Sequence, residues 1–228
     1  SPGRRRRCIV GAAVDKTGSM HGPRPKRAAD GNAQLPGRLR ACIKEGEDVV
    51  IFLGLTMWGS DEHFYTLLDK PIQTTGDVDQ KRVDADVAAA VARLQAGDGS
   101  CGTTDISGGI EHAAKHLAAN NPSGEEGFDM THIIMITDGA ANRGEQLSDG
   151  IRDFAAKTRR DRGIDGIHTL PLTDGQSADF CRALAEGGNG LAAFAPTENE
   201  LNEAIIEICM PLVRAYGFFI IDDKFKGF

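Results

Sequence analysis

The chain has no apolar run approaching the length of a membrane span, and no signal peptide is visible at its start. It also lacks a basic excess. Against 33 Asp and Glu stand 26 Lys and Arg, a net charge of −7, which argues against a general nucleic-acid surface. The one basic run, Arg4-Arg5-Arg6-Arg7, lies at the extreme N-terminus, and residues 1–7 read as a solvated tail. The five cysteines, Cys8, Cys42, Cys101, Cys181 and Cys209, are odd in number and show no C-x-x-C spacing. Cys42, Cys181 and Cys209 fall on the apolar side of predicted helices, where a thiol serves as a small hydrophobe. A reducing compartment, with the cytoplasm favoured, fits this usage better than a disulfide scaffold, and a single Cys8–Cys209 bridge stays open as an alternative. His112 and His116 have a zinc-compatible spacing, but no Glu follows His112, so the H-E-x-x-H protease pattern is missing and a solvated helix face is expected. There is no internal repeat and no low-complexity linker. A first residue of Ser rather than Met fits removal of an upstream segment.

What remains is an ordinary globular mix. The chain has 228 residues, 40% apolar and 26% charged, which suits one α/β domain. Apolar runs alternate with helical patterns. Strands are expected at Cys8–Val14, Val49–Met57, about His63–Leu68, Ile133–Ile136, Ile167–Leu172 and Leu191–Ala195. Helix faces are marked by Leu35, Leu39 and Cys42, by Val83, Val87, Val91 and Leu94, and by Ile106, Ile110 and Leu117. Further faces are marked by Leu147, Ile151 and Phe154, and by Phe180, Cys181 and Leu184. Thr197 and Glu200 form a capping box for a last helix that Pro211 should bend or end. Gly31 and Pro36 should disturb the start of the first helix. The alternation predicts a doubly wound, mostly parallel sheet with one antiparallel edge strand and helices on both faces. In such sheets ligands sit beyond the carboxyl ends of the strands, where strand order reverses.

Chemistry gathers at those ends. The run "CIVGAAVDKTGSMHG" drives a buried strand into Asp15, Thr17 and Ser19, alternating oxygens that one turn could aim at a point. "CGTTDISGG" adds Thr103 and Thr104 just before a helix. "IIMITDGAAN" ends another strand on Asp138. Every donor is oxygen, which suits Mg²⁺, Mn²⁺ or Ca²⁺ rather than zinc. Two strand-end carboxylates facing each other would repel unless a cation lay between them.

These three motifs, in this order, resemble the metal-ion-dependent adhesion site of von Willebrand factor type A (vWA) domains. Asp15, Thr17 and Ser19 match the family's Asp-x-Ser-x-Ser, with Thr in place of the first Ser; Thr104 matches its Thr, and Asp138 the Asp of Thr-Asp-Gly. The resemblance runs from Cys8 to about Tyr216, making 8–216 the domain and 217–228 an extension. It implies a Rossmann-like fold and a bound Mg²⁺, with Mn²⁺ or Ca²⁺ as substitutes. The function implied is non-enzymatic: a binding module whose partner protein offers a Glu or Asp to the ion. It also implies movement of the last helix, Leu201–Val213, when the site closes. Many intracellular relatives serve ATPase-driven assemblies, so such an assembly is an expected setting. Lys16, at a position the family leaves open, is expected to point to solvent, where it would attract a partner's carboxylate. Trp58, in a predicted hairpin tip, is either a partner contact or packing under the turn.

A second reading starts from "DKTGS", close to the "DKTGT" phosphorylation motif of the haloacid dehalogenase fold, with Asp15 as a nucleophile for phosphoryl transfer. "TDGAAN" echoes that family's downstream motif. Arg143 follows Asn142 where a second Asp is needed, however, and Thr17 stands where a soluble phosphatase has an acid.

Overall fold

The computed structural model describes residues 5–17, 24–43, 48–61, 63–95, 102–137, 141–171, 177–193, 203, 204 and 207. The alternation of apolar runs and helical patterns folds as expected. The strands are β1 (Arg6–Asp15), β2 (Val49–Trp58), β3 (Phe64–Thr66), β4 (Ile72–Gln73), β5 (Met130–Thr137) and β6 (Gly166–Pro171). The helices are α1 (Arg24–Cys42), α2 (Gln80–Gln95), α3 (Ile106–Ala119), α4 (Ser148–Arg162) and α5 (Ala178–Gly187). They make one six-stranded sheet in the order β3-β2-β1-β5-β6, with β4 also on β2. β2, β1, β5 and β6 run parallel, and β3 and β4 pair antiparallel with β2.

Alternating residues of each strand feed two cores. On one face Val10, Ala12, Val14, Ile51, Leu53, Leu55, Ile134 and Ile136 pack with Leu35 and Leu39 of α1, with Val87, Val91 and Leu94 of α2, and with Ala204. On the other face Ile9, Ala13, Ile133 and Met135 pack with Ile106, Ile110 and Leu117 of α3, Ile151 of α4 and Phe180 and Leu184 of α5. Strands buried on both faces explain the continuous apolar runs.

Several local readings are corrected, and the first is the solvated tail: Arg6 and Arg7 belong to β1, and Arg7 is half-buried, donating its N–H to Asp129 at 2.9 Å with its guanidinium over the Phe52 ring. Pro36 lies inside α1, which begins before Gly31 and runs through both residues. Burial of Leu35 and Leu39, each 1% exposed, holds the helix across a ring that can donate no hydrogen bond to residue 32. Leu147 does not line the apolar face of α4. It is the N-cap residue and stands 77% exposed. β4 was not foreseen, because two residues carry no periodicity. The Gly163 stop of α4 is as expected, a left-handed cap at φ 67°. Of the expected strand at 191–195, a single parallel bridge from Ala192 to Thr169 lies among the described residues. Most of the capping-box helix, Pro211 and the 217–228 extension lie outside them.

β1 is the strand on which order reverses: β2 follows it on one side, and β5 returns to the other. The crevice expected for a ligand is therefore at the carboxyl ends of β1 and β5.

Candidate metal centre

Asp15 is the last residue of β1 and has no exposed surface. Its Oδ1 accepts the Thr17 backbone N–H at 2.8 Å, the local turn that Asp favours two residues on. Its Oδ2 accepts the Thr137 hydroxyl at 2.8 Å. Thr137 ends β5, so the carboxylate joins the two strands that flank the crevice. Thr17 is 2% exposed.

Two further turns close on the end of β2. The Lys16 N–H donates to the Trp58 carbonyl at 2.7 Å, and the Asp105 N–H donates to the Gly59 carbonyl at 2.9 Å. Consecutive carbonyls of one strand end thus hold the residue after Asp15 and the residue after Thr104. The Ser60 and Thr103 hydroxyls are also in contact. Asp105 caps α3, its Oδ1 accepting from the Gly108 N–H at 2.8 Å and the Ser107 hydroxyl at 2.7 Å.

The loop after β5 grips the same turn. Thr104 donates its N–H to Asn142 Oδ1 at 2.7 Å. Its carbonyl accepts from the N–H groups of Asn142 and Arg143 at 3.0 and 3.1 Å. Gly144 has φ 62°, and a β-carbon there would meet Asp105 and Ser107 oxygens at 2.2 Å. The Glu145 N–H donates to the Ser107 hydroxyl at 3.1 Å.

Of the five expected ligands, Asp15 and Thr17 are bonded to each other at the crevice, and Thr104 lies in the turn that Asp105 fastens beside the end of β2. Ser19 and Asp138 lie outside the described residues, Asp138 directly after Thr137. A hard divalent ion fits the donors that are described. Asp15 is fully buried at the end of β1, and its carboxylate is a hard oxygen donor. The neighbouring donors are hydroxyl oxygens, the ligand class of Mg²⁺, Mn²⁺ and Ca²⁺. Among the described residues no three His, Cys, Asp or Glu side chains cluster as a metal site.

Lys16 is corrected as a surface contact, and of the two readings of Trp58 it is packing, not partner contact, that the structure shows. Lys16 is 6% exposed, and its ammonium donates to the Leu94 carbonyl in the last turn of α2, where helix carbonyls lack internal partners. Trp58 is the last residue of β2, opposite Asp15 in register, and its ring lies against α3 with no exposure. A β-carbon at Gly109 would stand 2.6 Å from the indole. Gly109→Ala should therefore cost about 1–3 kcal/mol through overpacking. Urea unfolding followed by the emission of Trp58, the chain's one tryptophan, would read it. An unchanged midpoint would mean the ring shifts freely.

His112 and His116 are half-buried rather than solvated; the His112 ring lies 5.9 Å from that of Phe64. Burial lowers both pKa values. Sequence reasoning missed Thr137 and Asn142. Asn142 stood in view in "TDGAAN", but its backbone partner lies 38 positions upstream.

No family model matches the sequence, and no curated protein matches it significantly. Solved structures do match in fold. A von Willebrand factor type A protein from Catenulispora acidiphila superposes with a TM-score of 0.63 at 17% identity, covering 92% of this chain and 43% of that one. The vWF domain of the type V pili tip protein Mfa5 from Porphyromonas gingivalis gives 0.62 at 14%, covering 96% and 99%. The manganese-loaded TRAP protein of Plasmodium vivax gives 0.54 at 16%, covering 92% and 74%. The chain thus spans less than half the length of the Catenulispora protein. At such identities the likeness is one of fold, and the chain has the α/β architecture of von Willebrand factor type A domains.

Proposed function

We propose that the chain is a metal-dependent protein-binding module. Asp15, Thr17, Ser19, Thr104 and Asp138 would hold a Mg²⁺ ion, with Mn²⁺ or Ca²⁺ able to replace it. Bound there, the ion supplies an electrophilic position for a Glu or Asp of a partner protein. Neutral hydroxyl donors leave much of its charge uncompensated, which favours an anionic ligand from outside. The observation that carries this reading is the fully buried Asp15 at the switch point, bonded to Thr17 on one side and Thr137 on the other. Neighbours of the same fold include a pilus tip protein and a manganese-loaded protein, which supports an adhesion-type role with a divalent cation.

The phosphoryl-transfer reading fares worse. Arg143 follows Asn142 where the downstream motif needs a second Asp, and Thr17 stands where a soluble phosphatase has an acid.

The test is a calorimetric titration of metal-stripped protein with Mg²⁺, Mn²⁺ and Ca²⁺, followed by capture of proteins from an extract with and without chelator. Saturable binding of one ion per chain and chelator-sensitive capture support the reading. A chain that takes up none of the three ions ends it. Incubation with acetyl phosphate in Mg²⁺ checks the rival, which requires phosphate on Asp15.

A further inference from the structure

Thr104 has to present a hydroxyl from a stretch that is neither helix nor strand, since α3 starts at Ile106. A ligand oxygen on such a stretch is useful only when its backbone is held to within about half an ångström. Asn142 supplies that hold. Its side-chain oxygen takes the Thr104 N–H at 2.7 Å, and its backbone N–H gives to the Thr104 carbonyl at 3.0 Å. One residue thus closes both backbone groups of Thr104, as a paired strand would. The side-chain half of the grip sets the residue type. It needs an acceptor two bonds beyond the β-carbon's own bond to the chain, which Asn and Asp provide, Ser falls short of and Ala lacks.

The grip also joins two ligand-bearing segments. Asn142 follows Asp138 by four positions in sequence, and Gly144 and Glu145, just beyond it, are fastened to the same turn. We infer that Asn142 is a positioning residue for the cation. Through its paired hydrogen bonds to the Thr104 backbone it sets where the Thr104 hydroxyl stands, although it does not itself ligate. The inference rests on the metal-binding reading above. It gives Asn142 a role in this chain unrelated to the phosphatase motif that "TDGAAN" echoes.

The test is a Mg²⁺ titration of wild type, Asn142→Ala, Asn142→Asp, Thr104→Val and the double variant Asn142→Ala/Thr104→Val, with amide hydrogen exchange at Thr104. Loss of a residue that orients a ligand costs about 10–100-fold in metal affinity. Asn142→Ala should weaken Mg²⁺ binding in that range and speed exchange at the Thr104 amide. Asn142→Asp keeps the acceptor and should bind no more weakly than wild type. In the Thr104→Val background, where there is no hydroxyl left to place, Asn142→Ala should cost nothing further. A loss of equal size in that background would show general loosening and overturn the inference, as would an Asn142→Ala protein that binds like wild type. Should Asn142→Ala not fold, Asn142→Ser answers the same two questions. A wild type that binds no Mg²⁺ fails the underlying metal reading instead. The exchange data still judge the grip, which is refuted if Asn142→Ala leaves the Thr104 amide protected.

Discussion

Asp15→Asn should lower Mg²⁺ affinity at least about a hundredfold while the chain stays folded. The substitution removes the charge and little else. An amide oxygen can still accept the Thr17 N–H, and the Thr137 hydroxyl can turn to accept from the new NH₂ group, since a hydroxyl both gives and takes. Asp15→Ala is the harsher change. It leaves the Thr17 N–H and the Thr137 hydroxyl without the acceptor they share, in a place with no water-exposed surface. The expected cost is about 1–3 kcal/mol for each group left unsatisfied. Two measurements separate the roles. Calorimetry gives the affinity, and urea unfolding with and without Mg²⁺ gives the linked stability. Saturating wild type at a hundred times its Kd should add about 2.7 kcal/mol, and Asp15→Asn should add almost none. An Asp15→Asn protein with unchanged affinity would remove the carboxylate from the site. One that unfolds outright would make the acid a structural joint between β1 and β5.

The sheet was legible because its strands are buried on both faces and read as runs of Val, Ile and Leu. Asp15 was legible because an acid that ends such a run needs a reason. The clamp was not legible. Asn142, Gly144 and Glu145 act on Thr104, Asp105 and Ser107, and that pairing exists only after β5 has come to lie beside β1. Lys16 misled, and Trp58 was left between two readings, for a related reason. A lysine in a polar motif and a tryptophan before Gly-Ser both look like surface, and both are covered by helices that arrive from elsewhere, α2 over the ammonium and α3 over the indole. Local pattern reports which face of an element is apolar; it does not report which helix will cover its end.

A buried pair of histidines carries the second large effect. His132 of β5 and His168 of β6 are 6% and 4% exposed, with stacked rings 5.1 Å apart and Nδ1 of the first 2.8 Å from Nε2 of the second. Leu191 donates its N–H to His168 Nδ1 at 3.0 Å, so the His168 proton sits on Nε2 and is given to His132 Nδ1. Both rings are therefore neutral, and a further proton on either must break a buried hydrogen bond. Burial holds His132 at about 4 and, with the charge of a protonated His132 as a smaller cause, His168 at about 3; Asp165 pulls His132 upward, less strongly than burial pushes it down. In the unfolded chain each titrates near 6.5. Above that pH neither state binds the protons, and the pair contributes nothing to the pH dependence. As pH falls from about 6.5 towards 4, the unfolded chain takes up protons that the fold refuses, so stability falls, by up to about 1.4 kcal/mol per pH unit for each ring. The loss levels off only below the folded values. His112 and His116 act in the same direction, since burial lowers both of them too. Over two pH units the pair alone should remove several kcal/mol from a fold whose total is of order 5–15 kcal/mol. Urea unfolding at pH 7.5, 6.0 and 5.0 reads this before most carboxylates titrate. His132→Gln, which can still accept from His168, should show a shallower slope than wild type. A stability that stays level from pH 7.5 to 5.0, or a slope the substitution leaves unchanged, would mean the two rings already carry or readily accept protons in the fold, and the hydrogen-bond chain from Leu191 through His168 to His132 would have to run the other way.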